Sequence, residues 1–367
     1  MSKIVYLLGA GASFGIRDKK KPTIEIRGVD DDMDILRTYV EYEYANIIEG
    51  LPLVSEITGR LSFWANKLKE YKTHGKKTEH IYAGMSFDRA LDKLIEDLTW
   101  LKTESSNHAT IDTFAKKLYL KNQRDEFYKV ESLLSVFFIL EQVINKKDGR
   151  YDTFLASVLD AKLNIDNRIK ILTWNYDSQF ELAYKEYGDA KNKNTEWVRQ
   201  KLGIIDLKVQ DYDVNSTIFK LNGTANFLKQ VDISQHNELS ERLLDDLFLS
   251  YFGDKDIQVK NSRVSFAWDN ANYTTKTYTE ALTNAVKDAE VLVVIGYTFP
   301  FFNREIDREI FKYMPNLKKI YIQDPNAEQI ISSLDSLYSI QHTSITKVNK
   351  NVKPITNTAQ FYLPPEL

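Results

Sequence analysis

Lys3–Gly15, KIVYLLGAGASFG, decides how the chain is read. Ile4–Leu8 is a nearly unbroken apolar run, the pattern of a parallel strand covered on both faces. It ends in Gly9-Ala10-Gly11-Ala12-Ser13, small residues that let backbone N–H groups approach a ligand closely. A helix after this turn would add partial positive charge suited to a phosphate. The stretch therefore predicts strand, glycine turn and helix, a nucleotide-binding start. Gly9 and Gly11 fit the dinucleotide pattern G-x-G-x-x-G, whereas Gly15 comes one position late. By itself, a glycine turn is equally a plain tight turn after a first strand.

Working outward, similar strand-like runs recur. Ile169–Thr173 leads into Trp174-Asn175-Tyr176-Asp177, and Thr217–Leu221 into Asn222-Gly223. Val291–Ile295 leads into Gly296-Tyr297-Thr298-Phe299-Pro300, and Ile320–Ile322 into Gln323-Asp324-Pro325-Asn326. Helical patterns at Ser178–Glu186, Glu238–Phe252 and Asn303–Met314 lie among them, with a polar loop at Asp189–Thr195. Strands separated by helices predict an α/β fold: a doubly wound, mostly parallel, Rossmann-like sheet. Ligands of such sheets sit beyond the carboxyl ends of the strands, where these turns fall. Each turn also has an ordinary reading. Asn175 suits a helix cap, Asp177 a first helical turn, Asn222-Gly223 a turn and Gly296 a strand-to-helix break.

The stretch between the first two strands reads differently. Ile16–Met33 is polar, with a short strand at Thr23–Arg27, and a helical pattern runs from Asp34 to about Ile48. Leu53–Trp64 is helical again, and Lys67–Lys77 is charged and exposed in character. From Phe87 to Ile144 the period is helical, with Phe87, Leu91, Leu94, Ile95 and Leu98 on one face. Asp112 is placed to cap a helix there. Val130–Ile144 is apolar nearly all round, which predicts a buried helix or one at a subunit interface. The expected organisation is one domain over residues 1–330, with a helical subdomain at about 80–150, and a C-terminal extension over 331–367 packed on it.

Composition narrows the function. The 367 residues are 43% hydrophobic, enough for a substantial core, and the net charge of −3 supplies no basic field for direct nucleic-acid binding. There are no cysteines, which excludes disulfides, thiol nucleophiles and cysteine-ligated zinc. The five histidines show no metal-like spacing, so no metal is expected. Neither a cleavable signal pattern nor a membrane-length apolar run is present, so a cytoplasmic protein is expected.

Taken in order, the motifs resemble the prokaryotic sirtuin-like family. GAGAS (Gly9–Ser13) is similar to its phosphate loop, and TWNYD (Thr173–Asp177) to its T-x-N-x-D block. KLNGT (Lys220–Thr224) stands where the family usually has K-L-H-G-S. VVIGYTFPFFN (Val293–Asn303) resembles its second nucleotide-binding turn, and IDTFAKKL (Ile111–Leu118) a helical segment of defence-associated members. The resemblance implies NAD as substrate or ligand. Ala10, Gly11, Ala12 and Ser13 would face the diphosphate. Asn175 and Asp177 would address the nicotinamide ribose and its leaving group. Gly296, Tyr297 and Thr298 would line the adenosine side, with Asp324 near the adenine ribose. Gly9, Thr173 and Gly223 complete the implied cofactor-binding set, and Asn222 completes the catalytic one. The implied reaction is scission of the nicotinamide–ribose bond, giving ADP-ribose and nicotinamide, in anti-phage defence.

Two departures qualify that implication. The family's protein deacylases carry a four-cysteine zinc module, which this chain lacks, and residues 80–150 read as helical, as in its NAD hydrolases. The family's general-base histidine is replaced by Asn222, whose amide takes no proton near neutral pH. A slow hydrolase, a different base, a binding-only homologue and an engineered inactive variant all fit that exchange. With little chain after residue 330 for a sensor domain, control by homo-oligomerisation or by a partner ATPase is the expectation. The runner-up is a non-enzymatic nucleotide sensor or assembly subunit. A nicotinamide-dependent dehydrogenase using Glu25 or Asp30 ranks third, because TWNYD has no role in that fingerprint.

Overall fold

A computed structural model of the chain describes residues 3–17, 47–206, 216–253, 262–269, 276–338 and 351–367. Its strands, in chain order, are β1 (Lys3–Leu8), β2 (Ile16–Arg17), β3 (Ile47–Glu49), β4 (Ile169–Thr173), β5 (Ile204–Asp206), β6 (Ile218–Lys220), β7 (Gly223–Phe227), β8 (Ser262–Val264), β9 (Ala289–Ile295), β10 (Lys319–Gln323) and β11 (Val352–Ile355). Seven form one sheet in the order β11-β10-β9-β1-β4-β6-β5, and every pair in it is parallel. The fold is thus the α/β class expected, a Rossmann-like parallel sheet flanked by helices. Alternate residues feed two cores, as strand pleating requires. Val5, Leu7, Leu172, Phe219, Leu292 and Val294 enter one, and Ile4, Tyr6, Leu8, Ile171, Ile218 and Val293 the other.

The register carries the functional geometry. Leu8 pairs with Thr173 and Ile295, Thr173 with Lys220, Lys220 with Asp206, Ile295 with Gln323, and Gln323 with Ile355. All seven strands therefore end level, and their following turns open along one edge. Strand order reverses at β1, with β4 on one side and β9 on the other. That boundary is where ligands of open α/β sheets bind.

The chain divides into two units. The first, Met1–Ser13, Lys147–Thr224 and Arg263–Leu367, holds the seven-stranded sheet. Its C-terminal segment continues from β11. Gln323 Nε2 donates to the carbonyls of Asn357 and Gln360, and Phe361 packs edge-on against Tyr151.

The second unit, Phe14–Lys146 and Ala225–Ser262, is mainly helical and wider than residues 80–150. Its helices are Ile57–His74, Phe87–Ser105, Ile111–Leu120, Arg124–Ile144 and Glu241–Tyr251. Val130–Ile144 lies almost wholly buried in it, as its composition requires. Glu141 on that helix accepts both guanidinium arms of Arg60, at 2.8 and 3.0 Å, and the indole N–H of Trp64 at 2.7 Å. A buried carboxylate needs such satisfaction.

Several local expectations are corrected. The helix expected to end at Trp64 continues to His74, because Ile57, Leu61, Trp64 and Leu68 keep an apolar stripe while Lys69 and Glu70 stay outside. Ile47–Glu49 is a strand rather than a helix end; the rest of the Asp34–Ile48 pattern and the Thr23–Arg27 strand, with Glu25 and Asp30, lie outside the described residues. Thr110, not Asp112, caps its helix, accepting from Thr113 N at 3.2 Å. The expected loop at Asp189–Thr195 holds a 3₁₀ turn, Gly188–Asn192, and the start of the helix Thr195–Lys201. Among the described residues, no helix is long and apolar enough to cross a membrane.

Candidate functional site at the carboxyl edge of the sheet

The glycines at the β1–β9 boundary serve close backbone approach. Gly9 N donates to Ile295 O at 3.0 Å, Gly11 N to Gly296 O at 2.9 Å, and Ala12 N to Gly9 O at 2.9 Å. A Cβ at Gly11 would lie 2.7 Å from Gly296 Cα, and one at Gly9 2.7 Å from Gly296 O. At Gly296, where φ is +58°, a Cβ would lie 2.3 Å from Ala12 N. No helix follows β1, however. Ala10–Ser13 is a single 3₁₀ turn, so the helix expected there, with its dipole, is corrected. The N–H groups of Gly9, Gly11 and Ala12 are turned to protein carbonyls. Gly15 belongs to the second unit, where a Cβ would lie 2.1 Å from Glu49 O. Its late position reflects the β2–β3 pairing rather than a phosphate.

The β4 turn is built from side chains. Asn175 Nδ2 donates to Gly9 O at 2.9 Å and to Ser13 Oγ at 3.0 Å, while Thr173 Oγ1 accepts from Asn175 N at 3.1 Å. Ser13 Oγ lies 2.6 Å from Asp177 Oδ2 and 2.7 Å from the Tyr151 hydroxyl. Asp177 Oδ1 accepts from Gln179 N at 3.1 Å, and Lys220 Nζ donates to the Asp177 carbonyl. Burial raises the Asp177 carboxyl above its ordinary range, against the lowering effects of the Lys220 charge and the Ser13 hydrogen bond.

The β6 turn brings Asn222 beside this cluster. Its Nδ2 donates to Trp174 O at 3.2 Å, and its carbonyl accepts from Ser265 N at 2.8 Å. Among the described residues, Asn222 Oδ1 is buried without a hydrogen-bond partner, and so is the Ser265 hydroxyl. Gly223 has φ +73°, and a Cβ there would lie 2.0 Å from Arg263 O. Glycine is required at that position by the turn itself.

After β9, Tyr297 stacks on Trp174 with centroids 6.0 Å apart and donates its hydroxyl to Asp307 Oδ2 at 2.7 Å. Asp307 is fully buried, and that burial pushes its carboxyl up to about 8 against the Tyr297 hydrogen bond. Thr298 is exposed, and Phe299 takes φ +52°, a strained conformation for a residue with a Cβ. Asp324 Oδ1 accepts from Asn326 N at 2.8 Å, at the head of the helix Ala327–Tyr338.

Every sequence-selected residue except Asp324 thus stands at the end of β1, β4, β6 or β9 or just after it, with Thr173 the last residue of β4 and Gly223 the first of β7; Asp324 follows β10 on the same edge. Residues that sequence reasoning missed join them. Arg150 donates to Ala12 O at 2.9 Å and, in a longer contact, to Gly11 O at 3.4 Å, while Tyr151 reaches Ser13. Both open the helix Gly149–Val158, whose cap, Asp148 before Gly149, was a readable signal. Asp307 was legible as a polar residue three and four positions before the buried Ile310 and Phe311. Compared with known proteins, the chain matches no family model and no curated protein.

Proposed function

We propose that this chain is a sirtuin-like NAD-binding effector whose site is laid out for cleaving the nicotinamide–ribose bond. The observation that carries the reading is the meeting of Asn175, Asp177 and Asn222 at one sheet edge, beside the glycine turns where strand order reverses. Cleavage passes through an oxocarbenium-like centre, so the site must orient the ribose and offer dipoles to the developing charge. Asn222 Oδ1, unpartnered among the described residues, is an acceptor for a ribose hydroxyl or for water. It orients that group without taking its proton. Asp177 brings a carboxyl group to Asn175 through the shared Ser13 hydroxyl. The products are ADP-ribose and nicotinamide. Control falls to self-assembly or to a partner ATPase, and the setting is the cytoplasm, in anti-phage defence.

A second reading, a nucleotide sensor without turnover, is favoured by the amide at Asn222 and by the inward bonding of the Gly9, Gly11 and Ala12 N–H groups. The test incubates the purified chain with NAD, alone and with candidate partners. Free nicotinamide is measured by chromatography, and ADP-ribose binding by calorimetry. Nicotinamide release supports the hydrolase; binding without release supports the sensor; neither overturns both.

A further inference from the structure

The Ser13 hydroxyl has one proton and two lone pairs, and it has three partners. An amide nitrogen only donates, so Asn175 Nδ2 occupies one lone pair. An ionised carboxylate only accepts, so the Ser13 proton goes to Asp177. The remaining lone pair must then receive the Tyr151 hydroxyl. With Asp177 ionised the hydrogen bonds thus run from Tyr151 to Ser13 to Asp177; with Asp177 protonated they run the other way, and Ser13 is saturated by the same three partners in either case. Ser13 has no capacity left for a diphosphate oxygen, whatever its place in the GAGAS motif suggests. Its work is internal: one oxygen sets both the Asn175 amide and the Asp177 carboxyl.

We infer that Tyr151, which lies outside all the sequence motifs above, is the positioning residue of this site, holding Asn175 and Asp177 in place through Ser13. The phenol is itself well held. Its ring meets Phe180 and Phe361 edge-on, with centroids 4.8 and 5.0 Å away. Its helix is capped by Asp148, whose side chain accepts from Arg150 N at 3.0 Å. Arg150, the preceding residue, clamps the carbonyls of Ala12 and Gly11. Adjacent residues of one helix therefore hold the main chain and the side chain of the same turn. Removing the phenol oxygen keeps the ring packing and frees Ser13 to rotate.

This inference rests on the hydrolase reading only for its kinetic consequence. The test compares Tyr151→Phe with the parent chain in two ways. Exchange of the Asn175 side-chain amide protons, followed by NMR after asparagine labelling, needs no turnover; the variant should exchange about tenfold faster. Nicotinamide release at saturating NAD, in whichever of the native and Asn222→His backgrounds turns over, should fall by about 10- to 100-fold with the NAD dissociation constant unchanged. A thermal melt identifies any unfolded variant, and Ser13→Ala then replaces Tyr151→Phe with the same expectations. Unchanged Asn175 exchange in a folded variant overturns the positioning role, even if NAD is cleaved. Faster exchange with no release from either parent sustains it and removes the hydrolase instead.

Discussion

The two halves of the site edge are built by opposite means. At the β1–β9 boundary the sequence works by leaving side chains out: Gly9, Gly11 and Gly296 let two turns touch through backbone atoms. Around the β4 turn, which lies between those of β1 and β6, it works by putting polar side chains in: Asn175 and Asp177 bond to Ser13 of the β1 turn, and Asn222 of the β6 turn bonds to Trp174 O. The first half tolerates no added atom, whereas the second tolerates exchange of one polar group for another. Substitution in the first should therefore be read in folding, and in the second in chemistry.

The largest effect should come from adding atoms to the glycine half. Gly296→Val combines a Cβ 2.3 Å from Ala12 N with an unfavourable φ of +58°. We expect loss of the cooperative unfolding transition in circular dichroism; a stable, folded variant would break the comparison. Gly11→Val should follow it, because Gly296 Cα, 2.7 Å away, stands in its place.

In the polar half, Asn222→His should instead leave folding intact and raise nicotinamide release by about 10²–10⁴-fold, the usual worth of a positioned acid–base group. If NAD binds the variant and no nicotinamide appears, the sensor reading is preferred.

Asp307 sharpens the contrast through pH. Its carboxyl titrates near 3.8 when unfolded and at about 8 when buried. Between those values the folded chain keeps a proton that the unfolded chain releases. Its contribution to stability is thus full below about pH 3.8 and is lost as pH rises through about 8. Asp307→Asn removes that slope and should stabilise the chain at pH 8 by a few kcal/mol, at roughly 1.4 kcal/mol per pH unit. Urea unfolding at a series of pH values would show it, and parallel profiles for the two proteins would contradict it.

A smaller stability effect than that at Asp307 is expected at Asn175. Asn175→Ala leaves Gly9 O and Ser13 Oγ without their donor, at a cost of about 1–3 kcal/mol in urea unfolding. Nicotinamide release should nevertheless be lost from this folded variant, because an unpositioned ribose is not cleaved. Retained release would move the chemistry off the β4 turn.

These contrasts also explain what could be read from the sequence. Five of the seven strands of the large sheet were legible because they are buried apolar runs such as Val291–Ile295. The other two, β5 and β11, were not: β5 is only three residues long, and β11 is largely exposed and carries Pro354. The turns were legible because their residue types are demanding in order: two glycines, an asparagine two residues from an aspartate, then Asn222-Gly223. The 3₁₀ geometry after β1 was not legible, since nothing in GAGAS separates a helix start from a single turn. Tyr151 was missed for another reason: its partner Ser13 stands after β1, far away in sequence, and local spacing is silent on that contact. Asp307, ten residues after its partner Tyr297, carried only the local signal noted above.

The contact between Tyr151 and Ser13 has a consequence for how the chain is assembled. The chain leaves the sheet-bearing unit after Ser13 and re-enters it at Lys147. Arg150 and Tyr151 close that opening with hydrogen bonds made entirely inside the unit. Doubling the length of a closed loop costs only about 0.6 kcal/mol, so the length of chain between Ser13 and Lys147 adds little to the cost of bringing Arg150 and Tyr151 back to the turn after β1.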